Sequence, residues 1–152
     1  MALHFTKDEF SKRKIKTLQS MKEKNLDALL MFRQESMYWL TGYDTFGYVF
    51  FQTLILDKNG TVILLTRAPD LRQAQNTSNI KDIRIWIDKD GSNPTDDLKI
   101  ILDELSLAGK KIGIEYEAYG MTGRNALRLN RSLENYCTVE DQSELITKHR
   151  VI

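Results

Sequence analysis

Cysteine is almost missing from this chain: Cys137 stands alone among 152 residues. A single cysteine excludes an intramolecular disulfide, and a reducing cytoplasm is the expected location. Proline is scarce, at two residues, and glycine at eight, against six tyrosines and six phenylalanines. That balance excludes a disordered composition. No charge of one sign prevails, because 22 Lys and Arg against 21 Asp and Glu leave a net +1. Near-neutrality argues against a nucleic-acid binder, which needs a basic excess to neutralise phosphates. Long apolar runs are lacking too. YVFF at 48–51 and LILD at 54–57 fall far short of the roughly 20 residues that span a bilayer, and the first 25 residues hold no signal-peptide core. What remains is 41% apolar and 28% charged, the make-up of one globular domain over residues 1–152. A chain of this size buries roughly 70% of its unfolded surface and needs no metal or disulfide to fold.

Self-contained catalytic motifs are absent as well. His4 and His149 lie at opposite ends of the chain, in no metal-ligand spacing. Neither a Gly-rich phosphate loop nor a Gly-x-Ser-x-Gly elbow occurs. Cys137 sits in an apolar stretch, which favours a buried structural thiol over a nucleophile. Glu115 and Glu117 would share a face if their strand continued, a pattern common on solvated strand ends and weak support for acid–base chemistry.

The elements that are present read in a clear order. Thr6 and Glu9 form a capping box for a first helix, with Phe10, Ile15, Leu18 and Met21 as its apolar stripe. Residues 1–33 carry +4 and the remainder −3, and KRKIK at 12–16 reads as a solvated helix face. DALLMF at 27–32 suits a buried strand, and a short helix follows that ends near Gly42. Residues 48–56 (YVFFQTLIL) read as a central strand too apolar for a wet face. Alternation would put Tyr48, Phe50 and Gln52 on one side and Val49, Phe51 and Thr53 on the other. A turn at Asp57–Gly60, with Asn-Gly at its tight positions, leads into the returning strand TVILLT at 61–66. Pro69 opens a helix through Gln75, and DIRIWID at 82–88 alternates as a strand. Asn93 and Pro94 start a helix with the core stripe Leu98, Ile101, Leu102 and Leu105. KIGIE at 111–115 is a strand, Thr122 caps a helix carrying Ala126, Leu129 and Leu133, and YCTV at 136–139 is the last strand. Alternating helices and strands with one hairpin predict an α/β layered fold around a six-stranded mixed sheet.

The segment YWLTGYDTFGYVFF at 38–51 places seven aromatics in fourteen positions. Its strand half reads as core. Tyr43 and Phe46, between Gly42 and Gly47, are costly to expose unless they meet a ligand or a partner. A mixed aromatic and amide surface leaving such a loop suits a small polar molecule or a second subunit.

LDALLMF, SMYWLTGYDTFG, the hairpin, LLTRAPDLRQA, KKIGIEY and a terminal ELITKHRVI occur in that order over nearly the whole chain. Together they resemble the N-terminal domain of the creatinase/prolidase family, with wording around YWLTGYDTFGYVFFQ closest to the creatinase-like and ectoine-hydrolase-like branch. The resemblance implies a ribonuclease-H-like α/β fold in a two-domain C–N (amide or peptide) hydrolase whose catalytic C-terminal "pita-bread" domain would follow Ile152. No cofactor is then expected in this domain, while the parent would hold two divalent metal ions (Mn, Co or Zn) if of the peptidase type and none if like creatinase. The implied partners are the chain's own catalytic domain, a second copy in a homodimer, and a small-molecule or dipeptide substrate, with no nucleic acid and no membrane. The implied role is non-catalytic, supporting dimerisation and lining the neighbouring subunit's active site. Candidate lining or dimer-contact residues are Tyr43, Phe46, Tyr48, Phe50 and Arg67. Creatinase uses a Phe and an Arg two residues apart in this region. Counted from Gly42, those places fall on Tyr48 and Phe50, so the aromatic is kept and the guanidinium lost, which speaks against creatine as substrate. Arg67 or Arg72 would have to supply that charge, with Arg72 expected in solvent. A stand-alone binding or regulatory module of the same fold is the alternative from another class; a nucleic-acid binder is a poor third.

Overall fold

A computed structural model describes residues 3–150; Val151 and Ile152, at the end of the terminal motif, lie outside them. The elements run α1 (Lys7–Glu23), β1 (Ala28–Met31), α2 (Gln34–Thr41), β2 (Thr53–Asp57), β3 (Val62–Arg67), a 3₁₀ turn (Ala68–Asp70), α3 (Leu71–Thr77), β4 (Ile83–Trp86), α4 (Pro94–Glu104), β5 (Lys111–Ile114), α5 (Gly123–Leu133), β6 (Thr138–Asp141) and α6 (Leu145–Arg150). The six strands form one sheet in the order β4-β3-β2-β1-β5-β6. β2 is antiparallel to β1 and β3, and the remaining pairs are parallel. This is the expected mixed α/β sheet.

Period-two alternation sorts the core. Ala28 and Leu30 of β1, Ile55 of β2, and Ile63 and Leu65 of β3 pack under α4 and α5 through Leu98, Ile101, Leu102, Leu129 and Leu133. Leu29, Met31, Leu54, Leu56 and Leu64 face the other way, onto Met21 of α1, Met37 and Leu40 of α2, Ala74 of α3, and Leu145 and Ile146 of α6. All four β1 residues are fully buried, as befits the strand at which the sheet's order reverses. Gly113 is needed beside it, since a Cβ there would lie 2.8 Å from Gln142 Cγ.

Local signals place the helix starts. Thr6 Oγ1 accepts from Glu9 N (3.1 Å), Asn93 Oδ1 from Thr95 N (3.1 Å), and Thr122 Oγ1 from Asn125 N (3.2 Å). The Glu9 carboxylate turns to Arg13 Nε instead (3.2 Å). α2 ends at Gly42 in the left-handed region (φ 86°).

Several expectations need correction. Ile15 is 65% exposed, and Thr17 takes its place on the buried face of α1. β2 begins at Thr53, five residues later than the apolar run suggests. β1 gives out as a neighbour after the pair Met31–Leu54, and β3 after Leu65–Thr53. β3 itself runs on to Arg67, but the chain at 48–52 leaves the ladder, and Phe50 N closes a turn onto Gly47 O (3.0 Å). The proposed alternation of Tyr48, Phe50 and Gln52 fails with it. In the hairpin the tight pair is Lys58-Asn59, with Gly60 following in the left-handed region (φ 88°): Gly60 N bonds to Asp57 O, and Asp57 Oδ1 accepts from the amides of Asn59 and Thr61. That is a three-residue loop ending in a left-handed glycine. The last strand, β6, starts at Thr138. Among the described residues no helix is long and apolar enough to cross a membrane.

Candidate functional site

Because β1 and β3 both run opposite to β2, five strands end at the same edge of the sheet. In open α/β sheets the space beyond the strands' carboxyl ends, where the order reverses, is where ligands bind. Here that point lies between β1 and β5. A cleft of about 520 Å³ opens over it, lined by Arg33, Glu35, Tyr48, Glu117, Tyr119 and Glu144 among others.

Glu115 lies behind this lining, bonded to the amide of Arg33 on the cleft wall. The residue following β5 is fully buried and is no solvated strand end. Oε1 accepts from the amides of Phe32 and Arg33 (both 3.0 Å), and Oε2 from Ser36 Oγ (2.5 Å). α2 has no side-chain cap of its own at Arg33, and the Glu115 carboxyl instead holds the two amides just before the helix and the Ser36 hydroxyl in its first turn, near its positive end. Burial pushes the Glu115 carboxyl up to about 7, against the lowering pull of those three bonds. Glu117, two residues on, is exposed, so the two carboxylates do not work together.

The aromatic loop reaches the cleft through Tyr48. Tyr43 is fully buried. Its hydroxyl donates to Gln52 Oε1 (2.7 Å) and lies 3.3 Å from Thr66 Oγ1, and burial pushes it up to about 12. Gln34 ties the same hub from above, donating to Tyr43 O (2.7 Å) and accepting from Gln52 Nε2 (3.2 Å). Tyr43 therefore offers no side-chain surface, because polar partners inside the fold let its ring be buried. Phe46, in contrast, is 89% exposed, and Tyr48, Val49 and Phe50 are about half exposed. Tyr119 adds a fifth exposed side chain, edge-on to Tyr48 at 5.6 Å between centroids.

Arg67 stands under this knuckle. Its guanidinium carbon is 3.5 Å from the Phe50 ring centroid, its Nε 3.4 Å from Asp70 Oδ2, and Nη1 4.0 Å from Asp88 Oδ2. Its charge is thus already engaged by two carboxylates and a ring. Arg72 is exposed, as expected. Of the candidate residues the structure brings Phe50 and Arg67 into contact, leaves Phe46 and Tyr48 exposed on the same loop, and buries Tyr43.

The other suspected groups lie elsewhere. His4 bonds the Tyr38 hydroxyl. His149 Nε2 lies 2.7 Å from Ser20 Oγ and the ring stacks on Trp39. Cys137 is half-buried, which raises its thiol. Among the described residues no group of three His, Cys, Asp or Glu could hold a metal ion. Asp70 and Tyr119 were not singled out by sequence reasoning, and Glu115 was weighed only as half of a solvated acidic pair with Glu117. For Glu115 the available signal was a carboxylate directly after an apolar strand, facing a helix start that lacked a capping residue.

Residues 13–152 match the family described as the Creatinase/Prolidase N-terminal domain. An uncharacterized hydrolase/peptidase of Sinorhizobium fredii is 25% identical over 140 residues, 88% of this chain and 36% of that protein. The ectoine hydrolase of Halomonas elongata is 29% identical over 90 residues, 59% of this chain and 21% of that protein. The chain thus spans little more than a third of the first relative and about a fifth of the second. Among solved structures, a prolidase from Thermococcus sibiricus superposes with a TM-score of 0.77 at 19% identity, over 94% of this chain and 37% of that one. An Xaa-Pro aminopeptidase from Streptococcus pyogenes gives 0.75 at 19% identity, over 95% of this chain and 100% of that one.

Proposed function

Because the chain belongs to the creatinase/prolidase N-terminal domain family, we propose that it is the non-catalytic N-terminal domain, residues 1–152, of a longer cytoplasmic C–N hydrolase. In this reading the domain helps two subunits pair and lines the partner's active site with Phe46, Tyr48 and Phe50, backed by Arg67. Tyr43 supports that surface from below. The observation that carries the reading is the exposure of Phe46, Tyr48, Val49 and Phe50 within one short loop, with Tyr119 edge-on to Tyr48. Large apolar groups clustered on an otherwise polar surface mark a site of contact.

The chemistry belongs to a separate catalytic domain, with two divalent ions (Mn, Co or Zn) if the parent is of the peptidase type. The residues described here do not fit those ions. The substrate is a dipeptide or a small amide; the Arg67 charge, already faced by Asp70 and Asp88, is a poor free anchor for a creatine carboxylate.

The test is an assay of the full-length protein against ectoine, creatine and an Xaa-Pro dipeptide. Tyr48→Ala should lower kcat/KM on the preferred substrate by about tenfold or more, equivalent to at least roughly 1.4 kcal/mol of transition-state stabilisation, with an unchanged melting temperature. Full activity in Tyr48→Ala, Phe46→Ala and Phe50→Ala alike would remove the loop from the active site. A second reading, a stand-alone binding module, draws on the Streptococcus pyogenes chain that is matched along its whole length. A native gene product of this domain's mass alone would favour it.

A further inference from the structure

The knuckle leaves Phe46, Tyr48, Val49 and Phe50 exposed, and a buried polar group lies against its backbone. Asp70 closes the 3₁₀ turn after β3 and is 6% exposed. Its Oδ1 accepts from Thr45 Oγ1 at 2.6 Å, and Thr45 Oγ1 accepts in turn from Gly47 N at 3.1 Å. Its Oδ2 faces Arg67 Nε, whose guanidinium lies against the Phe50 ring. The Gly47 end of the turn is therefore hydrogen-bonded through Thr45 to this carboxylate, while the Phe50 end rests on the arginine that the carboxylate faces.

The backbone sits directly on that group. A Cβ at Gly47 would lie 2.4 Å from Asp70 Oδ1 and 2.5 Å from Oδ2. On the opposite side a Cβ at Gly120 would lie 2.3 Å from Phe50 O. The knuckle is clamped between a buried carboxylate and a glycine. A buried ion pair adds little net stability compared with apolar packing, and one of its uses is to select one conformation among several.

We propose that Asp70 is the positioning residue of the aromatic loop, setting Phe46, Tyr48 and Phe50 in their outward conformation before any partner binds. Occupying the loop in catalysis or dimerisation rests on the function proposed above; the preset shape of the loop does not. Amide hydrogen exchange on the 152-residue chain separates the two. Asp70→Asn keeps an acceptor for Thr45 and removes the charge facing Arg67, whereas Thr45→Val removes the hydroxyl with little change of shape. Each should speed exchange at the Gly47 and Phe50 amides by about tenfold or more and leave the β1 and β2 amides unchanged, as a local opening does. Unchanged loop exchange in both variants, or uniform acceleration throughout the sheet in both, would overturn the proposal. A preset loop in a protein whose knuckle variants keep full activity would uphold it while removing the functional reading.

Discussion

Tyr43 and Phe46 lie three residues apart in one loop between two glycines, yet one is fully buried and the other 89% exposed. Hydrophobicity does not explain the split, since the more polar of the two rings is inside. The difference lies in what the fold provides beneath each. Tyr43 projects over Gln52 and Thr66, which take its hydroxyl. Phe46 follows Thr45, whose hydroxyl is drawn to Asp70, and the backbone turns outward there. A buried polar framework thus decides which aromatic is core and which is surface. The two were expected to act alike, and they do not.

The largest test of this contrast is Tyr43→Ala. It empties a buried aromatic site and orphans its polar partners, and should cost about 3–5 kcal/mol, read as a lowered urea midpoint. A loss below about 1 kcal/mol would mean that the loop merely rests on the sheet.

A second test uses the other buried polar anchor, Glu115. Its folded carboxyl titrates at about 7 against an ordinary 4.5. Between those values the folded state holds a proton that the unfolded state has released, so stability falls as pH rises from about 4.5 to about 7 and is level on either side. The contribution is about 3 kcal/mol. It should appear as a difference between wild type and Glu115→Gln in melting temperature over that range. Parallel profiles would show that Glu115 is ionised throughout.

The smallest expected effect sharpens the comparison from the other side. Phe46→Ala should change stability by no more than about 0.5 kcal/mol in the same urea titration. A larger loss would place its ring against the fold after all.

Much of the fold was legible because its signals are local. Thr6, Asn93-Pro94 and Thr122 cap the helices they appear to cap, and the Leu98–Ile101–Leu102 stripe faces the sheet. The start of β2 was not legible, because the turn that takes YVFFQ out of the ladder is bonded through Thr45 to Asp70, which lies beyond β3 in the chain. Glu115 was misjudged for the same reason. Its burial is decided by amides some 80 positions earlier, and no window around KIGIEYE contains them. Motif order made the family legible. The knuckle residues were found as a cluster, but the carboxylate beneath them was not, since its partners come from a loop 25 positions away.

The bond from Glu115 to the start of α2 also has a consequence in time. α2 is eight residues long and has no side-chain cap of its own, too short to persist alone in water. Its cap spans 79 to 83 positions of chain. Contacts of such range form only after the loop-closure entropy between them has been overcome. The expected order is therefore that α2 is secured after β5 docks beside β1 and that the aromatic loop leaving α2 settles later, which low φ-values at α2 would check. The surface this domain turns outward is thus expected to be among the last parts of it to be completed on the folding pathway.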